Sequence, residues 1–127
     1  FSFKANTNDT RESSAIQICN NLIDEGALLS IYDPKVSYEQ ISNDLNKGRI
    51  NTENFVNPQW NTKSSVLEAC KGADAVIIIT EWQEFRDIDW EKIAKLMRSP
   101  SWLFDTRNIS NHIKASENGL NVWVMGN

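Results

Sequence analysis

Two hydrophobic periods alternate along the chain. Residues 1–4, with Phe1 and Phe3, read as a short strand that runs into a polar loop without glycine. Asp9 or Thr10 suits an N-cap, so residues 11–14 are expected to form the first turn of a helix. Ile16, Cys19, Leu22 and Ile23 recur at helical spacing, and Gly26 marks the end of that helix. Residues 27–32 form the next strand, ended by Asp33 and Pro34. A β-α-β run of about thirty residues has the size of a parallel crossover unit. Val36, Tyr38, Ile41 and Leu45 predict a helix over 37–46. Residues 49–63 are rich in Asn and Thr and read as irregular, with a short strand near Phe55 and Val56.

Regular patterning returns at Ser64. Val66, Leu67 and Cys70 predict a short helix, stopped by Gly72. Residues 73–79 end in the β-branched run Val76, Ile77, Ile78 and Ile79, as expected for a strand covered on both faces. Asp89 opens a helix with Ile93, Leu96 and Met97 on one face. Residues 102–104 and 120–124 are the last strands, with a loop or short helix between them. Strands alternating with helices give an α/β fold, a Rossmann-like three-layer α/β/α sandwich with a mostly parallel sheet in a single domain. Ligands of such sheets sit outside the C-terminal strand ends. Those ends carry Lys4, Asp33, the run Thr80, Glu81 and Trp82, and the run Asp105, Thr106 and Arg107.

Composition narrows the function. A chain of 127 residues has room for one domain with a real core. A net charge of −4 argues against nucleic-acid binding, which needs a basic face. No apolar run approaches the ~20 residues of a membrane span. Cys19 and Cys70 lack metal-ligand or disulfide spacing and read as packing residues of a reducing, cytoplasmic compartment. His112, the single histidine, reads as a surface polar residue without a base's partner. No metal site and no catalytic nucleophile–base pair stands out.

The remaining candidates are cations. The loop after the first strand lacks the glycines of a dinucleotide cradle. Lys4, Arg11 and Arg107 are placed to clamp phosphate oxygens, for which the planar guanidinium fork is suited. Arg11 in a first helical turn opposes the helix dipole, which hints at a use, although an ion pair with Glu12 or Asp9 explains it equally. Asp33 suits a ribose hydroxyl or, more simply, the turn before Pro34. Trp60, Trp82, Trp90, Trp102 and Trp123 are expected to pack in the core.

Four stretches in order carry a resemblance. Phe3-Lys-Ala-Asn-Thr-Asn-Asp-Thr-Arg-Glu-Ser-Ser14, Tyr32-Asp-Pro-Lys-Val36, Gly72-Ala-Asp-Ala-Val-Ile-Ile-Ile-Thr-Glu-Trp82 and Phe104-Asp-Thr-Arg107 resemble the C-terminal domain of the UDP-glucose/GDP-mannose dehydrogenase family. The first is most similar to members acting on UDP-glucose. Members acting on UDP-N-acetyl sugars or GDP-mannose, and a non-catalytic Rossmann-like assembly domain, are the alternatives. The resemblance implies a UDP-sugar-binding domain over residues 1–127, cut from a longer chain. The full-length enzyme would oxidise the sugar C6 alcohol of UDP-glucose to the carboxylate of UDP-glucuronate with NAD. NAD-binding and central domains of the same chain would hold the cofactor and the reactive cysteine, within a homo-oligomer. By matching position Phe3, Lys4 and Arg107 would bind the UDP-sugar and Arg11 would face the NAD. The fragment alone would be inactive.

Overall fold

A computed structural model describes residues 1–2, 5–10, 13–46 and 59–126. The chain divides into two compact units, Phe1–Ser64 and Ser65–Asn127. Every strand pairing in either unit is parallel, in keeping with the α/β alternation of the sequence.

In the first unit, helix α1 (Ser14–Asp24) carries its buried face on Ala15, Cys19 and Ile23. Ser13 is its N-cap: the Ser13 Oγ accepts the Ala15 N–H at 3.1 Å and donates to the Phe1 carbonyl at 2.7 Å. The cap expected at Asp9 or Thr10 is thus displaced to Ser13. Gly26, at φ +90°, ends the helix. The Gly26 N–H bonds back to the Ile23 carbonyl and the Ala27 N–H to the Leu22 carbonyl, a paired closure that needs a left-handed residue. Strand β1 (Leu29–Ile31) and helix α2 (Tyr38–Asn46) follow.

Strand β2 (Trp60–Thr62) pairs with β1 in the register Leu29 to Trp60 and Ile31 to Thr62. It lies in the segment read as irregular. Its three residues are too few, and Asn61 and Thr62 too polar, to form a periodic signal. The strand anticipated near Phe55 and Val56, and half of the strand expected over 1–4, lie outside the described residues. Ile41, Leu45 and Trp60 are buried, and Tyr38 packs on Trp60 with ring centroids 5.2 Å apart.

The second unit contains α3 (Val66–Cys70), β3 (Ala75–Ile78), α4 (Gln83–Arg86), α5 (Trp90–Leu96), β4 (Trp102–Asp105), α6 (His112–Glu117) and β5 (Asn121–Val124). The sheet order is β3-β4-β5. Asp89 caps α5 by accepting the Lys92 N–H at 3.3 Å. Trp90, Ile93, Leu103 and Ala115 are almost fully buried.

The two faces of this sheet differ. Strand registers place Ile77, Phe104 and Trp123 on one face and Leu103 and Asp105 on the other. Trp102 and Trp123 are 40% and 46% exposed and Ile77 is also exposed, while Trp60, Trp82 and Trp90 are buried as expected. Trp102 and Trp123 are therefore not core residues, and β3 is not covered on both faces. The side chains of a strand alternate, and this alternation turns both tryptophans away from Leu103. Trp102 stacks on Phe104 at 5.5 Å.

Burial pushes the thiols of Cys19 and Cys70 up to about 11, which fits packing roles. Among the described residues no helix is long and apolar enough to cross a membrane.

Candidate functional site

The C-terminal strand ends of the second unit hold the best-defined polar cluster. Asp105 ends β4 with its side chain on the buried face, and the residue is 0% exposed. A buried carboxylate must find donors, and the next five residues supply them. Asp105 Oδ1 accepts the Arg107 N–H at 3.0 Å. Oδ2 accepts the N–H of Ile109 at 3.0 Å, the N–H of Ser110 at 2.8 Å and the Ser110 hydroxyl at 2.6 Å. The chain wraps round one carboxylate, helped by Asn108 at φ +55°, a conformation that asparagine tolerates better than most residues. Burial raises the Asp105 pKa. The hydroxyl and amides of Ser110, Arg107 and Ile109 outweigh it and hold the group below the ordinary carboxylate value.

Thr106 ties this loop to the neighbouring strand. Its N–H and its hydroxyl both donate to the Ile78 carbonyl, at 3.0 and 2.8 Å. Arg107 is thereby fixed at both the Thr106 peptide and its own amide. Its side chain is 32% exposed, and Nε lies 3.3 Å from Glu81 Oε1. Glu81 follows Thr80, which is buried, just beyond β3.

In the first unit Asp33 stands at the end of β1. Its Oδ2 accepts from the Phe1 and Ser2 nitrogens at 2.9 and 3.0 Å, and Oδ1 accepts the Lys35 N–H at 2.9 Å. Both oxygens serve the turn and the N-terminal segment, so turn duty is the better account of Asp33 than a ribose contact.

The loop before α1 is clipped to α2. The buried Thr10 donates its hydroxyl to Asp44 Oδ2 at 2.6 Å. Gln40 Nε2 donates to the Asn8 carbonyl at 2.6 Å.

Of the residues singled out in the sequence, Arg107 is placed at a strand end as expected. Phe3, Lys4 and Arg11 lie outside the described residues. His112 opens α6 and is half-buried, with its Nδ1 buried and without a hydrogen-bond partner among the described residues. It is less of a surface residue than expected. Sequence reasoning missed the organising role of Asp105, and the pairing of Glu81 with Arg107.

Among the described residues no group of three His, Cys, Asp or Glu side chains could hold a metal. Nor do the described residues fit NAD. The loop before α1 has no glycine, so it lacks the usual pyrophosphate cradle, and the Asp33 oxygens are committed.

Relatives share this sequence over most of its length. The chain is 47% identical to UDP-glucose 6-dehydrogenase of Pongo abelii and 40% identical to that of Drosophila melanogaster and to UDP-glucose 6-dehydrogenase 1 of Arabidopsis thaliana, over 99% of this chain in each case. It spans only 26, 27 and 28% of those proteins respectively. In fold it is similar to the crystal structure of NDP-N-acetyl-D-galactosaminuronic acid dehydrogenase from Methanosarcina mazei Go1. The TM-score is 0.75 at 15% identity, over 98% of this chain and 22% of that one. Residues 1–112 match the model of the UDP-glucose/GDP-mannose dehydrogenase family, UDP binding domain. The chain belongs to the UDP-glucose/GDP-mannose dehydrogenase family and corresponds to its UDP binding domain.

Proposed function

We propose that residues 1–127 are the UDP-sugar-binding domain of a longer, cytoplasmic, NAD-dependent enzyme that oxidises C6 of UDP-glucose to the carboxylate of UDP-glucuronate. In this reading Arg107, with Phe3 and Lys4, grips the UDP-sugar, and Arg11 faces the NAD. The cofactor and the reacting groups belong mainly to other domains of the same chain, and the full-length enzyme is a homo-oligomer. This fragment alone is inactive.

One observation carries the reading. Arg107 stands at a C-terminal strand end on a loop fixed by a fully buried aspartate, with its side chain partly open. A guanidinium held this way is prepared to take an oxyanion at two points. The identities with UDP-glucose 6-dehydrogenases favour UDP-glucose over other nucleotide sugars.

The test is Arg107→Ala in the full-length enzyme. Loss of a hydrogen bond to a charged group costs about 1.5–3 kcal/mol, so KM for UDP-glucose should rise roughly ten- to a hundredfold. An unchanged KM would remove Arg107 from the binding site.

The contact with the remaining domains is best placed on the exposed face bearing Ile77, Trp102 and Trp123. Clustered exposed aromatics mark interaction surfaces, and roughly three-quarters of the length of each relative lies outside this segment. The occupant proposed is the rest of the same polypeptide.

A further inference from the structure

We infer that Glu81 is a positioning residue for Arg107, holding the guanidinium by an ion pair on its Nε side and leaving its two terminal nitrogens for the ligand. The inference rests on the reading of Arg107 as a UDP-sugar contact.

The geometry begins with the backbone. Ile78 and Asp105 are register partners on adjacent parallel strands. Thr106 bonds twice to the Ile78 carbonyl. The start points of the Glu81 and Arg107 side chains are therefore fixed relative to each other by the sheet. Among the described residues Arg107 Nε is buried and has no hydrogen-bond partner, and Glu81 Oε1 lies 3.3 Å from it as an ion pair. Among the described residues this is the only ion pair of Arg107.

Guanidinium has five N–H donors in a rigid plane. A carboxylate beside Nε stands on one side of the group and leaves the edge between the terminal nitrogens for a second oxyanion. Two neighbouring donors of the fork can take phosphate oxygens as a pair.

Stability does not account for the pair. Glu81 and Arg107 side chains are 49% and 32% exposed, and exposed ion pairs contribute little to folding. Orientation is what an ion pair between half-exposed side chains still provides, because a long side chain loses less freedom on binding if it is already restrained. The acid also carries a negative charge near a site for a diphosphate. If repulsion outweighed orientation, removing Glu81 would improve binding, so the two effects have opposite signs.

The experiment is a double-mutant cycle in the full-length enzyme, reading KM for UDP-glucose separately from kcat. Glu81→Ala should raise KM by about two- to fivefold, the upper range for one partly exposed ion pair, with kcat at saturation little changed. Glu81→Gln keeps an acceptor oxygen and should restore KM to near the parent value. On the Arg107→Ala background, Glu81→Ala should add nothing. An equal or lower KM for Glu81→Ala would overturn the inference. So would an equal rise on both backgrounds, which would mean that Glu81 acts through the fold. If Arg107→Ala leaves KM unchanged, the reading of Arg107 falls and the inference with it. If Arg107→Ala raises KM while Glu81→Ala does not, only the inference falls.

Discussion

Asp105→Asn is the most discriminating change that the site offers. The substitution keeps the shape and converts one carboxylate oxygen into an amino group. The two oxygens have unequal work: Oδ2 accepts three hydrogen bonds and Oδ1 accepts one, from the Arg107 N–H. The asparagine oxygen should therefore take the Oδ2 place. Its amino group then faces the Arg107 N–H, donor against donor. The amide of Arg107 loses its anchor while the Ile109 and Ser110 bonds survive in weaker, uncharged form.

The magnitude follows from that count. Losing one hydrogen bond to a charged acceptor costs about 1.5–3 kcal/mol. In the full-length enzyme the thermal midpoint should fall, and KM for UDP-glucose should rise. The rise should not exceed that of Arg107→Ala, because the route runs only through Arg107. Steady-state kinetics with a parallel thermal scan make the check. A lowered midpoint with an unchanged KM would show that this loop does not place Arg107.

Acid titration gives a second readout of the same residue. The folded-state pKa of Asp105 lies below its ordinary value, whereas the unfolded chain takes up the proton near pH ~3.9. Its contribution is fully present above that pH and is lost as pH falls through the folded-state pKa, where the unfolded state binds more protons. The acid limb of the stability curve should therefore be shallower in Asp105→Asn than in the parent.

Two further outcomes concern other parts of the chain. Asp44→Ala leaves the buried Thr10 hydroxyl without its acceptor and should cost about 1–3 kcal/mol; Asp44→Asn, which can still accept, should retain most of it, and equal denaturation midpoints for the two variants would refute the clip. Hydroxyl-radical footprinting of the full-length enzyme should find Trp102 and Trp123 protected, and oxidation of both at the rate of free surface tryptophan would exclude a domain contact on that face.

Local periodicity made most of the fold legible. Ile16, Cys19 and Ile23 announced α1, and the run ending at Ile79 announced β3, which the structure gives as Ala75–Ile78. The failures came where a long-range partner decides the outcome. Trp60 becomes part of a strand because it lies beside Leu29, and nothing in Trp60, Asn61 and Thr62 alone requires that. The N-cap fell to Ser13, whose hydroxyl also serves the Phe1 carbonyl. That bond joins residues too far apart for a capping rule to weigh.

The site shows the same division between local and distant information. Arg107 at a strand end was visible as a cation on the ligand edge. Its supports were less so, although a signal for Asp105 was present. Alternation along Trp102, Leu103, Phe104 and Asp105 puts the aspartate on the face of Leu103, and an acid on a buried face must be satisfied by its surroundings. Ser110 and the intervening amides are near enough in sequence to do this, so the buried carboxylate and the polar loop after it form one device. Glu81 carries no such signal. It comes from a different strand, and only the register of Ile78 with Asp105 brings it to Arg107. The residue proposed to bind is thus readable locally and its loop partly so. The group proposed to aim it is brought there by strand pairing, and for that reason it is best tested by coupling to Arg107 and not by its substitution alone.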